Sequence, residues 1–162
     1  MKKTIAFSYE SYNSSAEMPD SDQQLIFQAE QSLEKAYAIY SGFHVGASLL
    51  LENGKIMSAN NQENMAFPSS LCAERVLMYY CKANFPDLEV KKIAVTVRSV
   101  HGTISEPISP CGSCRQVMLE YEQNQKNNIQ VILKADQGKV YVLESINDLL
   151  PLSFKTDVIK RY

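Results

Sequence analysis

Three cysteines and one glutamate, carried on two short stretches far apart in the chain, restrict the fold more than any other feature. The stretches are Cys72-Ala73-Glu74-Arg75 and Pro110-Cys111-Gly112-Ser113-Cys114-Arg115-Gln116. Each falls where a loop enters a predicted helix, and the partial positive charge at a helix N-terminus favours thiolate over thiol. A sheet that brings two such N-termini together presents Cys72, Cys111 and Cys114 to one metal ion. Three protein ligands leave a fourth tetrahedral position open for water, the arrangement of a catalytic rather than a structural zinc. With three sulfurs in the protein positions, Glu74 is better placed as a proton shuttle than as a ligand. Three thiolates around one Zn²⁺ leave a net negative charge, which Arg75 and Arg115 are expected to offset by hydrogen bonding to the sulfurs.

A structural zinc is the alternative. Glu74 would then be an ordinary first-turn carboxylate, and His44 or His101 would have to supply a fourth ligand. An open three-cysteine site beside a carboxylate fits catalysis better. Cys81 lies nine residues after Cys72 on the same predicted helix, which at roughly 100° per residue puts it on the opposite side. It is expected to be a small buried apolar residue.

The rest of the composition narrows the partners. A chain of 162 residues, 45% hydrophobic and 21% charged, suits one soluble globular domain. Net charge is −2 with a pI near 5.7, and no Lys/Arg block stands out. A small neutral substrate is therefore expected rather than nucleic acid, which selects a basic stripe. No apolar run reaches the length of a membrane span, and Met1–Phe7 lacks the apolar core of a signal peptide. Cysteines with no evident disulfide partner suit a reducing compartment, so a cytoplasmic protein with no membrane partner is expected.

Periodicity supplies the elements. Residues 2–12 alternate weakly and read either as an extra strand or as a disordered arm. Ser21-x-x-Gln24 has capping-box spacing and opens a predicted helix over 21–40, closed by Gly42. Val45–Leu51 and Lys55–Ala59 flank Asn53-Gly54, which predicts a hairpin with a type I′ turn. Helices are expected over 72–84 and 111–123, and strands over 92–98, 129–134 and 139–144. Ser145 caps a short final helix that ends at Pro151. Strand–helix alternation after the hairpin implies an α/β domain, a three-layer α/β/α arrangement around a mixed sheet of about five strands. Residues 1–20 read as an N-terminal extension and 21–162 as one catalytic domain.

Five stretches together resemble the cytidine deaminases of the short-chain, three-cysteine type. They are Ala38-Ile39-Tyr40-Ser41-Gly42-Phe43-His44-Val45-Gly46-Ala47, Asn61-Gln62-Glu63-Asn64, the two cysteine stretches, and Leu150-Pro151-Leu152-Ser153-Phe154. The resemblance runs from about Ala36 to Phe154. It implies zinc held by Cys72, Cys111 and Cys114, with Glu74 as the shuttle. It also implies Asn61 and Glu63 on the ribose hydroxyls, and Phe43 against the pyrimidine. The reaction implied is hydrolysis of cytidine and deoxycytidine to uridine and deoxyuridine with release of ammonia, a step of pyrimidine salvage. The family further implies a homotetramer in which Phe154 reaches a neighbouring subunit's site.

The chain departs from the family at Ile39, His44, Met65, Phe67, Ser69 and Ser70, which bears on substrate preference rather than on the reaction. A deaminase of another amino-heterocycle is a rival within enzymes, as is a polynucleotide deaminase, which would carry His in the first ligand position and a basic surface. A zinc module that only binds a partner is the rival from another class. Release of ammonia from cytidine separates it from the enzymes.

Overall fold

The computed structural model describes residues 1–154. Six strands form one sheet in the order β1-β6-β5-β4-β2-β3: β1 Glu10–Tyr12, β2 Phe43–Leu51, β3 Ile56–Asn60, β4 Val90–Ser99, β5 Gln130–Lys134 and β6 Val140–Leu143. Of the neighbouring pairs only β4 and β5 run parallel. Three α-helices cover it: α1 Asp20–Leu33, α2 Ala73–Asn84 and α3 Gly112–Gln123. The three-layer expectation holds, with one strand more than the five anticipated. The extra strand is β1, where Glu10 and Tyr12 pair with Val142 and Val140 at the sheet edge.

The connections explain where the helices lie. β2 is antiparallel to both β3 and β4, so β3 and β4 point the same way. The paths β3–α2–β4 and β4–α3–β5 are therefore two crossovers stepping in one direction across the sheet. Crossovers of one hand stepping one way put both helices on one face, with both N-termini at the end where β3 and β4 finish. Leu77, Met78, Met118 and Leu119 pack there against Leu49, Ile93, Val95, Val131 and Leu133. Alternate strand residues face the other way, as period two requires. On that side Leu25 and Ile26 of α1 meet Ala94, Ile132, Val140 and Val142.

Helix α1 lies very close to β2. Gly46 faces it, and a Cβ there would come within 2.9 Å of the Leu33 amide nitrogen and nearer still to the Ala29 carbonyl. Ser48 Oγ donates to Leu25 O at 2.6 Å, and Asp22 and Glu30 pair with Lys92 and Lys134 of the sheet at 2.6 and 3.0 Å.

Local readings needed three corrections. Helix α1 begins before Ser21: Pro19 is the N-cap, its carbonyl takes the Asp22 and Gln23 amides, and no side chain caps it. Asp20 and Asp22 in the first turn complement the helix dipole instead. The helix also stops at Leu33, because Tyr37 pairs with the chain after β3: its amide donates to Asn61 O, and its carbonyl accepts from Glu63 N. Gly42, at φ 61°, closes the turn that follows rather than the helix. The hairpin is not type I′. Gly54 alone takes positive φ (85°), with Gly54 N bonded to Leu51 O and Leu51 N to Lys55 O. That is the three-residue loop built from a type I turn and a glycine bulge.

Cys81 is fully buried in the α2/α3 core, as its helical phase required. No helix among the described residues is long and apolar enough to cross a membrane.

Glu122, near the end of α3, had no place in the sequence reading. It is buried, and it accepts from Ile129 N at 2.8 Å, Ile146 N at 2.9 Å and Ser145 Oγ at 2.6 Å. One carboxylate thus joins α3, the start of β5 and the 3₁₀ turn Ile146–Leu149. Glu122→Ala leaves those buried donors without partners and is expected to cost on the order of 2–4 kcal/mol in urea unfolding. A loss below about 0.5 kcal/mol would show that the carboxylate is not what joins them.

Candidate active site

Cys72 and Cys111 are the N-cap residues of α2 and α3, both with extended backbone, and Cys114 sits in the first turn of α3. The shared direction of the two crossovers brings their sulfurs together. All three Sγ atoms lie within 4.8 Å of one another, with Cys72 and Cys111 at 3.8 Å and Cys111 and Cys114 at 3.4 Å. Zn–S bonds of about 2.3 Å at tetrahedral angles need sulfurs about 3.8 Å apart. The three thiols therefore fit a zinc ion with little adjustment. His44 and His101 are not part of this cluster. Among the described residues the donor set is three sulfurs, which leaves a fourth position free for water and argues against a closed structural site.

The electrostatics are those of a site that expects a cation. A hydrogen bond from Cys114 leads the effects that lower Cys72 to about 5, and Arg75 adds to it. The same bond, with burial and the nearby Glu74 charge, drives Cys114 strongly upward. Burial works against the Arg75 charge, but hydrogen bonding to the Cys72 and Cys114 sulfurs keeps its pKa above the ordinary value. Arg75 lines the site beside Cys72 and Glu74, with its Nε buried and without a hydrogen-bond partner. Arg115 is engaged elsewhere: its Nε donates to Pro110 O at 2.6 Å and a terminal nitrogen donates to Leu149 O at 2.8 Å. It ties the second cysteine stretch to the final 3₁₀ turn.

Glu74 lies in the first turn of α2 with only 3% of its surface exposed. Its Oε2 is buried without a hydrogen-bond partner. Burial pushes its carboxyl up to about 7, near which an acid–base group both takes and releases protons. An orphaned carboxylate oxygen beside three thiols is a group prepared for a ligand rather than for the fold.

These residues open into a cavity of about 510 Å³, lined also by Phe43, Asn61, Glu63, Phe67 and Ile108. Its volume suits a ligand of nucleoside size. A larger, more polar depression of about 760 Å³ lies between the C-terminal ends of α2 and α3, away from the sulfurs.

The two polar residues of the Asn61-x-Glu63 stretch differ in kind. Asn61 Oδ1 accepts from Val45 N at 2.8 Å and its Nδ2 donates to Phe43 O at 2.9 Å, so the amide extends the β2–β3 ladder. Glu63 accepts from Tyr40 N at 2.8 Å and from the amide and hydroxyl of Ser41. The Ser41 hydroxyl is the largest of the effects that hold its carboxyl below the usual range, with the Tyr40 and Ser41 amides adding to it. Phe154 is 63% exposed and does not line the cavity, and its carbonyl accepts from Gln116 Nε2 at 3.2 Å. Ser41, Val95, Val97 and Ile108 line the cavity and were not anticipated. The alternation of β4 was the available signal for Val95 and Val97.

The family model for the cytidine and deoxycytidylate deaminase zinc-binding region matches residues 19–128. A cytidine deaminase of Halalkalibacterium halodurans is 34% identical over 135 residues, 83% of this chain and 95% of that protein. One from Sporosarcina psychrophila is 35% identical over 135 residues, covering 83% and 92%. The crystal structure of the Burkholderia pseudomallei cytidine deaminase superposes with a TM-score of 0.71 at 40% identity, covering 85% of this chain and all of that one. That of the Mycobacterium tuberculosis cytidine deaminase gives 0.64 at 27%, covering 85% and 99%. The three sulfurs, the buried carboxylate and these matches lead to one conclusion: the chain belongs to the cytidine and deoxycytidylate deaminase family.

Proposed function

We propose that this protein hydrolyses cytidine to uridine and ammonia in a zinc-dependent reaction, and that deoxycytidine is converted likewise. The observation that carries the reading is the buried Glu74 carboxylate, one oxygen unpartnered, beside a three-thiol cluster whose Cys72 and Cys111 line a nucleoside-sized cavity. A zinc ion held by Cys72, Cys111 and Cys114 supplies the Lewis acidity that brings water close to ionisation at neutral pH. Glu74 takes a proton from the attacking water and delivers it to the pyrimidine ring nitrogen. It then helps protonate the amino group, which leaves as ammonia as the ring carbonyl forms. Arg75 balances the thiolate charge. Phe43 packs on the base, and Asn61 and Glu63 take the sugar hydroxyls, Glu63 through lone pairs its internal donors leave open.

A nucleoside is favoured over a nucleotide by the charge of the cavity wall. Among the described residues its one lining cation is Arg75, turned to the sulfurs, and its carboxylates are Glu63 and Glu74. A phosphate would meet no partner there. Ammonia release should therefore rank cytidine and deoxycytidine well above cytidine monophosphate and free cytosine. No release from cytidine would overturn the reading, and equal kcat/KM for cytosine would remove the sugar contacts. Glu74→Gln should keep zinc and fold while lowering kcat at least ~10²-fold. Near-normal turnover would take Glu74 out of the mechanism.

Metal content gives a separate test. The purified protein should hold one zinc per chain, and Cys111→Ala should lose it together with stability, since binding and folding are coupled. Full occupancy in a protein with both Cys111→Ala and Cys114→Ala would refute the site.

Exposure of Phe154 outside its own chain's cavity supports a further proposal: a cytoplasmic homotetramer in which Phe154 packs on the pyrimidine of a neighbouring subunit. Such stacking contributes about 1–3 kcal/mol. Hybrids of Phe154→Ala and Glu74→Ala chains should then exceed both parents in activity, because some sites combine intact residues from different chains. Hybrids no better than either parent would rule the shared site out.

A further inference from the structure

The mechanism above uses none of residues 1–18, yet this arm lies against the part of the chain that carries Cys111. The Tyr9 ring packs on Tyr141 of β6 with centroids 4.8 Å apart and planes tilted by 55°. Tyr141 donates its hydroxyl to Glu106 Oε2 at 2.6 Å, and Lys139 pairs with the other Glu106 oxygen. Glu106 belongs to the loop between β4 and α3, which a second bond from Gln137 N to Ile104 O (3.2 Å) also fixes to the β5–β6 turn.

From Glu106 to Cys111 the loop is stiff. Pro107 and Pro110 have φ locked by their rings, and the residue before each proline, Glu106 and Ser109, is held to extended backbone by the same ring. A constraint at Glu106 is therefore carried along the loop to Ile108, Ser109 and Pro110, which form one wall of the substrate cavity. Behind that wall there is space: a second cavity of about 310 Å³, bounded by Phe7, Tyr9, Arg115, Tyr141 and Leu149, also has Ser109 in its lining. Ser109 thus separates two cavities, and packing alone does not stop the loop from moving backwards.

We propose that Glu106, held by Lys139 and by the Tyr141 hydroxyl whose ring Tyr9 packs against, is a positioning residue that holds the Pro107–Pro110 wall forward and sets the fit of the substrate. This rests on the reading of the cavity beside the sulfurs as the cytidine site. Glu106 touches neither the substrate nor the metal ligands, so its effect is on binding rather than on the chemical step.

Glu106→Ala should raise KM for cytidine about 5-fold or more with kcat within about 2-fold, since a displaced wall weakens binding without removing a reacting group. Zinc content should stay at one per chain. Glu106→Gln keeps one acceptor oxygen for Lys139 and turns an amide nitrogen to the Tyr141 hydroxyl, so it should recover part of the KM loss. Tyr141→Phe should raise KM alone but add little in the Glu106→Ala background, as expected for two members of one contact. Hydrogen–deuterium exchange of the peptide spanning 104–111 reads the loop directly and needs no turnover. It should quicken in Glu106→Ala and in Tyr9→Ala while α1 is unchanged. Unchanged exchange in that peptide overturns the proposal whether or not the protein deaminates cytidine. So does a KM effect that Glu106→Gln leaves undiminished, or one accompanied by loss of zinc. Absence of cytidine turnover in the unaltered protein, with the exchange result as expected, would instead remove only the substrate assignment.

Discussion

Two helix N-termini face one point in space, and the site depends on that convergence. It follows from β3, β4 and β5 running in one direction, so that the two crossovers step the same way. Each N-terminus brings a cysteine at its cap and a partial positive charge, which makes a thiolate easier to form. Three thiolates within 4.8 Å nevertheless repel one another. Hydrogen bonding between the sulfurs, with Arg75, lowers Cys72, while the same bond and burial drive Cys114 upward. A divalent ion removes that conflict, which is why metal binding and the integrity of this end of the sheet belong together.

The same carboxyl group meets three different surroundings in Glu74, Glu63 and Glu122. Glu74 is buried with an oxygen left over, and its proton affinity rises toward neutrality. Glu63 lies at the surface with three donors aimed at it, and its affinity falls. Glu122 is as buried as a catalytic group but is surrounded by backbone donors, so it serves the fold alone. Environment, not residue type, sets what each carboxyl can do.

What could be read from the sequence was what is local. Cys72, Glu74, Cys111 and Cys114 are set by position relative to a helix start, and the hairpin was found by its Asn53-Gly54 pair. The turn type was missed because one extra loop residue places Gly54 alone at positive φ. The far end of α1 was missed for a different reason. Residues 36–40 have helical periodicity, but Tyr37 gains two backbone bonds beside β3, and tertiary pairing outweighs local preference. Arg115 looked like a partner of the sulfurs by sequence adjacency, yet in α3 its side chain leads to Pro110 and Leu149. Glu122 left no signal, since its donors come from strands and turns that meet only in the folded chain.

The amide of Asn61 occupies the place where one more rung of the β2–β3 ladder would be, using a side chain to mimic a peptide group. This has a consequence for redesign and for the divergence of such enzymes. A descendant turned toward another substrate could replace Glu63 at the expense of three donors, the Tyr40 and Ser41 amides and the Ser41 hydroxyl, that water can satisfy. It could not discard Asn61 without unpairing the start of β2, and an aspartate there would set a carboxylate oxygen against the Phe43 carbonyl. Retention of this asparagine in a relative therefore reports on how the strand is finished, whatever that relative binds.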